Sequence, residues 1–106
     1  MFGKKQYVSR SNEELKFDQK KSELKKILAL KQAVSKTESF ETINPQKALW
    51  CYIELWPTIC TLADHHYPIE LKFARDEFSK NFYQDKLNEI KSLQQTVHNK
   101  LSAALN

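Results

Sequence analysis

Glycine is almost missing from this chain: one residue in 106, at position 3. About 7% is ordinary. Rossmann fingerprints, P-loops and nucleophile elbows each need several glycines for close backbone approach, so all three are excluded. The primed turns of short β-hairpins also lean on glycine, which argues against an all-β fold. Arginine is scarce as well. Of 17 basic residues only Arg10 and Arg75 are arginine. Base readout and bidentate phosphate clamps favour arginine, so the lysine excess points to solubilisation more than to sequence reading. No run approaches the roughly 18 apolar residues that span a membrane. No apolar stretch follows the charged start Met1-Phe2-Gly3-Lys4-Lys5, so no secretory leader is expected and a cytoplasmic location is. Cysteine stops at Cys51 and Cys60. In that compartment they read as reduced, buried thiols. On one continuous helix they would lie about 13 Å apart, beyond disulfide reach.

What is present is charge and apolar surface: 28% charged and 41% hydrophobic residues, with a net charge of +4. The charge is uneven. Residues 1–36 carry ten basic and four acidic side chains. Residues 37–70 carry Lys47 against Glu38, Glu41, Glu54, Asp64 and Glu70. Residues 71–106 carry six basic and four acidic side chains. A basic first third beside an acidic middle would pair internally or attract an acidic partner to one end. The length fits one domain. Residues 1–10 read as a flexible basic arm and 11–106 as a single helical domain.

Local signals then place the helices. Ser11-Asn12-Glu13-Glu14 is a capping box and starts the first. Phe17, Leu24, Ile27, Leu28 and Val34 share its apolar arc, and Lys36–Asn44 reads as the first loop. Asn44-Pro45 supplies a cap and a first-turn proline for the second helix. That helix is apolar around most of its circumference through Trp56, so it should be the most buried. Pro57 either kinks this helix or starts a new one. Pro68 opens the last segment, to about residue 104. There Leu71, Ala74, Phe78 and Phe82 form one stripe, and Tyr83, Leu87, Ile90, Val97, Leu101 and Leu105 a second, about a third of a turn away. Either the helix breaks near Ser79-Lys80-Asn81 or one long helix serves two contacts. The second contact would be the bundle or another copy, a homodimer through the C-terminal helix. The expected fold is all-α: a small bundle of three to four helices with a long C-terminal helix.

Three groups of residues are candidates for function. Cys60, Asp64, His65, His66 and Glu70 form the densest polar cluster, and cysteine, carboxylate and histidine are zinc ligands. The opposing reading is a helix end whose histidines meet the dipole. Lys20, Lys21, Lys25 and Lys26, with Lys4, Lys5, Arg10 and Lys16, would bind nucleic acid without sequence preference, or form a solvated face. Trp50, Trp56 and Tyr67 would anchor a protein partner, or belong to the core together with Tyr52, Phe73, Phe78 and Phe82.

Ala63-Asp64-His65-His66-Tyr67-Pro68-Ile69-Glu70-Leu71 resembles the His-His-Pro signature of pterin carbinolamine dehydratases over about ten residues. The resemblance implies a helix before the pair, a strand after position 72, a later catalytic histidine, and roles for His65 and His66. Tyr67 separates the pair from Pro68, and His98 is the one later histidine. The leading expectation is a non-enzymatic interaction or regulatory protein, of adaptor, toxin-neutralising or phage and plasmid accessory type. It would bind one macromolecular partner through a helical surface, with no cofactor and no membrane. Non-specific nucleic-acid binding is the first alternative, and a small enzyme or metal site at His65 and His66 the second.

Overall fold

The computed structural model describes residues 12–105; the arm expected over 1–10 lies outside them. The fold is all-α. Helix α1 is Asn12–Phe40, α2 is Pro45–Thr61, a π-helical turn covers Leu62–His66, α3 is Tyr67–Phe73 and α4 is Glu77–Leu105. Helix α2, the π turn and α3 run on as one rod of 17, 5 and 7 residues, as long as the 29-residue α1 and α4. At 1.5 Å per residue each is about 43 Å long. Among the described residues there is no strand.

The turns are made without glycine, and no described residue has a positive φ. The Phe40 carbonyl closes α1 by accepting from the amides of Ile43 and Asn44. Asn44 Oδ1 then accepts from the Lys47 amide at 3.2 Å, and Pro45 occupies the first helical turn, as the sequence predicts. At the second reversal Ala74 is extended, at φ −67° and ψ 133°. Asp76 starts α4: Oδ1 accepts from the Ser79 amide at 2.7 Å, and Ser79 Oγ donates to Oδ2 at 3.1 Å.

Two boundaries differ from expectation, and at Pro57 the chain takes the course of one continuing helix. The polar stretch after Ser35 is helical to Phe40, not a loop. Its hydroxyls bond back into the helix, Thr37 Oγ1 to the Ala33 carbonyl and Ser39 Oγ to that of Lys36. Pro57 sits inside α2 without ending it. Its ring and Ile53, whose carbonyl loses the partner, both lie on the exposed side where water substitutes. The chain breaks at Ala74–Asp76, and Ser79 is a buried helical residue.

The π turn follows from Pro68. In an unbroken α-helix the Pro68 ring would press on the Asp64 carbonyl. The turn ahead of it is wider by one residue, with the Tyr67 amide donating to the Leu62 carbonyl.

Packing follows heptad seams. On α1 the buried row is Lys20, Glu23, Ile27, Leu30, Val34 and Thr37, spaced alternately three and four. On α4 it is Ser79, Tyr83, Lys86, Ile90 and Val97. The rod supplies Ala48, Tyr52, Ile59, Leu62, Ala63 and Tyr67 between them. The core is therefore long and thin. The radius of gyration is 17.7 Å, where a compact domain of this length would have about 13 Å.

Candidate binding surface

The rod's inner side is polar as well as apolar. Glu23 is 3% exposed and holds three partners. His66 Nε2 lies 2.5 Å from Oε2, Tyr67 Oη donates to Oε1 at 3.1 Å, and Lys26 Nζ stands 3.3 Å from Oε1. Burial works to raise the Glu23 carboxyl pKa, but hydrogen bonding and charge from His66 and Lys26 outweigh it and hold it below its ordinary value. Burial first, then the Glu23 charge and hydrogen bond, push the Tyr67 phenol up. The group clamps α1 onto the π turn.

A second polar clamp closes the far end. Glu41 accepts from Tyr52 Oη at 2.6 Å and from Lys100 Nζ at 2.7 Å. These bonds lower the Glu41 pKa, and the same contact raises that of Lys100. Lys31 of α1 bonds Glu89 of α4, which also accepts from Lys86 on its own helix.

Two expected site residues are removed from any surface by this packing. Tyr67 is fully buried, so it cannot anchor a partner. Lys20 is 8% exposed, with its ammonium 5.5, 5.9 and 5.8 Å from the Phe78, Phe82 and Tyr83 ring centres. It satisfies its charge on aromatic faces and offers little to a phosphate. Lys21, Lys25 and Lys26 remain exposed, Lys26 in a pair with Glu23.

The polar cluster does not converge. Gln94 Nε2 donates to Asp64 Oδ2 at 3.3 Å and lies 3.5 Å from Cys60 Sγ, on the α4 side. His66 turns to α1, and His65 is exposed. Among the described residues no group of three His, Cys, Asp or Glu side chains could hold a metal ion. Both cysteines are free, and they are half-buried where full burial was expected. Where the pterin-enzyme resemblance implies a strand after position 72, the chain completes α3 and enters α4. His98 stacks near Trp56, with ring centres 6.0 Å apart, far along α4 from the pair.

The aromatic and aliphatic residues divide differently from expectation. Phe17, Leu24 and Leu28 flank the buried row of α1 and are exposed, whereas Leu30 is inside. The arc they share is wider than the seam α1 buries. The second stripe of α4 closes inside one chain, with Tyr83, Ile90 and Val97 in the core and Leu87 and Leu101 packed against it. Leu105, the last residue of that stripe, is exposed. Phe78 and Phe82 instead cover Lys20 of α1.

Helix α2 is not the most buried element, because one whole side of the rod is uncovered. Trp50 (58% exposed), Ile53, Pro57, Thr61, His65, Ile69 and Phe73 (69%) are all exposed, at spacings of three and then four. Spacing by four drifts around an α-helix. The wider π turn winds back against that drift and keeps Ile69 and Phe73 in line with Trp50. Trp56, by contrast, is half-buried toward α4. The continuity of this outer stripe was hidden in the sequence, since nothing marks a π turn except the proline behind it.

No helix among the described residues is long and apolar enough to cross a membrane. Comparison with known proteins returns no match to a family model, a curated protein or a solved structure.

Proposed function

We propose that this protein is a non-enzymatic interaction protein that presents the outer face of the rod to one macromolecular partner. The observation that carries the reading is the row of exposed large side chains, Trp50, Ile53, Ile69 and Phe73, on one side of a rod whose other sides are packed. Large apolar side chains exposed in line on one face, here as two pairs at its ends, support an interaction site more than singly scattered ones do. Tryptophan is the side chain most enriched among binding hot spots, and Trp50 stands clear of the core. The convergent polar groups that catalysis needs are spent on holding helices together: Glu23 on His66, Glu41 on Tyr52 and Lys100.

The test is comparative capture from the native host. The unaltered chain should retain one partner in stoichiometric amount. Trp50→Asp and Ile69→Glu should each lose it, while Leu24→Glu, exposed on α1, should keep it. Loss with Leu24→Glu and retention with Trp50→Asp would place binding elsewhere and end this reading.

A further inference from the structure

We infer that the occupant of the rod's outer face is an amphipathic helix with cationic flanks. The inference rests on the reading above and specifies the partner. Its shape argument starts from the backbone. Every described element is helical, so no sheet edge exists to take an extended strand. Affinity has to come from side chains, and the partner must satisfy its own backbone, which a helix does. Trp50–Ile53 and Ile69–Phe73 lie at opposite ends of the face, and the 23 residues from Trp50 to Phe73 cover about 34 Å. A straight helix laid along the rod reaches both, completing a bundle from three rods to four.

Charge selects the kind of helix. Between Lys47 and Lys72 the rod carries no lysine or arginine, but it carries Glu54, Asp64 and Glu70. Glu54 is exposed next to Ile53, one turn from Trp50 and Pro57. Asp64 is exposed too, and its one lysine neighbour, Lys91, stands 3.7 Å away as a half-exposed pair. Gln94 Nε2 also donates to Asp64, which stands at the α4 edge of the face as a half-exposed carboxylate in a weak pair. A second copy of this chain would bring Glu54 and Asp64 from each protomer toward the centre, with the rod's own cations confined to its ends, Lys47 and Lys72, the latter 5.7 Å from the Phe73 ring centre. Nucleic acid would meet the same negative field. A partner helix with lysine or arginine beside its apolar stripe answers both the hydrophobic row and the carboxylates.

Trp56→Phe leaves Trp50 as the single reporter tryptophan. The probes are two designed peptides of about 25 residues, long enough to span the face. Both have leucine at the a and d positions; one has lysine at e and g, the other glutamate. The lysine peptide should shift Trp50 emission to the blue and bind about tenfold more tightly than the glutamate peptide at low salt. The difference should shrink at high salt. Glu54→Lys should weaken the lysine peptide severalfold, and Ile69→Glu should abolish its binding. In the unaltered, nitrogen-labelled chain, amide shifts should map to residues 50–73 and spare Leu24 and Phe78. Equal binding of both peptides, shifts centred on α1, or dimerisation relieved by Trp50→Asp would each overturn the inference. If neither peptide binds while Trp50→Asp still loses the captured host partner, the helical occupant is wrong and the binding face stands. If Trp50→Asp keeps that partner, the face itself is wrong.

Discussion

Glu23 shows how much one buried side chain decides. It sits on the inner seam of α1, where a heptad pattern calls for an apolar residue, and it joins α1 to His66 and Tyr67 instead. Because its carboxyl pKa is held below the ordinary 4.5, the folded chain favours the ionised form. The stability this contributes is complete above the unfolded-state pKa and is lost as pH falls through the folded one. Unfolding by urea followed from neutral pH downward should therefore show the unaltered chain losing stability more steeply below about pH 4.5 than Glu23→Gln does. At neutral pH, Glu23→Gln should cost about 1–3 kcal/mol, because His66 and Lys26 lose their charged acceptor. Lys20 follows the same logic in reverse: a charged residue in the seam, accommodated by three aromatic rings. Neither role is legible in sequence. A pattern reading sees Lys20 and Lys26 as a solvated face, since the rings around Lys20, and the His66 and Tyr67 that hold Glu23, lie more than forty residues away and meet α1 only on folding.

At the scale of the element, the two prolines inside the rod, Pro57 and Pro68, differ. Pro57 lies mid-helix on the exposed side and leaves the Ile53 carbonyl to water. Pro68 lies one residue after the π turn and is bound up with it. Pro57→Ala should raise the melting temperature, since it restores a helical hydrogen bond and removes a residue costing up to about 3 kcal/mol in a helix interior. Pro68→Ala should give no comparable gain. An α-helical turn in place of the π turn would rotate α3 and draw His66 away from Glu23. Thermal unfolding of the two variants side by side checks this, with His66 ring shifts reporting on the Glu23 contact. The stop and start signals of Asn44-Pro45 were plain because capping is local. The end of α1 was not, because Thr37 and Ser39 are as much at home in a loop until their hydroxyls return to the helix carbonyls.

The whole molecule is three rods of equal length around a narrow core, with one long side open. That geometry separates stability from binding. Ile90 is fully buried at the centre of α4, so Ile90→Ala should cost about 2–5 kcal/mol. Trp50→Ala and Ile69→Ala on the outer face should each change stability by less than about 0.5 kcal/mol. Chemical denaturation of the three variants tests the division. A loss at Trp50 as large as that at Ile90 would mean the outer face belongs to the fold and is not spare surface.

The all-α class, the long last helix and the cap at Asn44 came from residue types acting on their immediate neighbours. With one glycine in the chain, turns had to be built from caps and extended residues, and they are. Which apolar residues lie inside was not settled that way. Both the buried and the exposed arcs of α1 are apolar, and α2 is apolar nearly all round. Burial went to whichever arc met a neighbouring rod: Leu30 inside and Leu28 out, Tyr67 inside and Trp50 out. Hydrophobicity is a property of the side chain, but burial depends on what stands opposite. Only three rods in place, with a π turn holding the uncovered row straight, decided between surface and core for Trp50 and brought Phe73 out of the expected core.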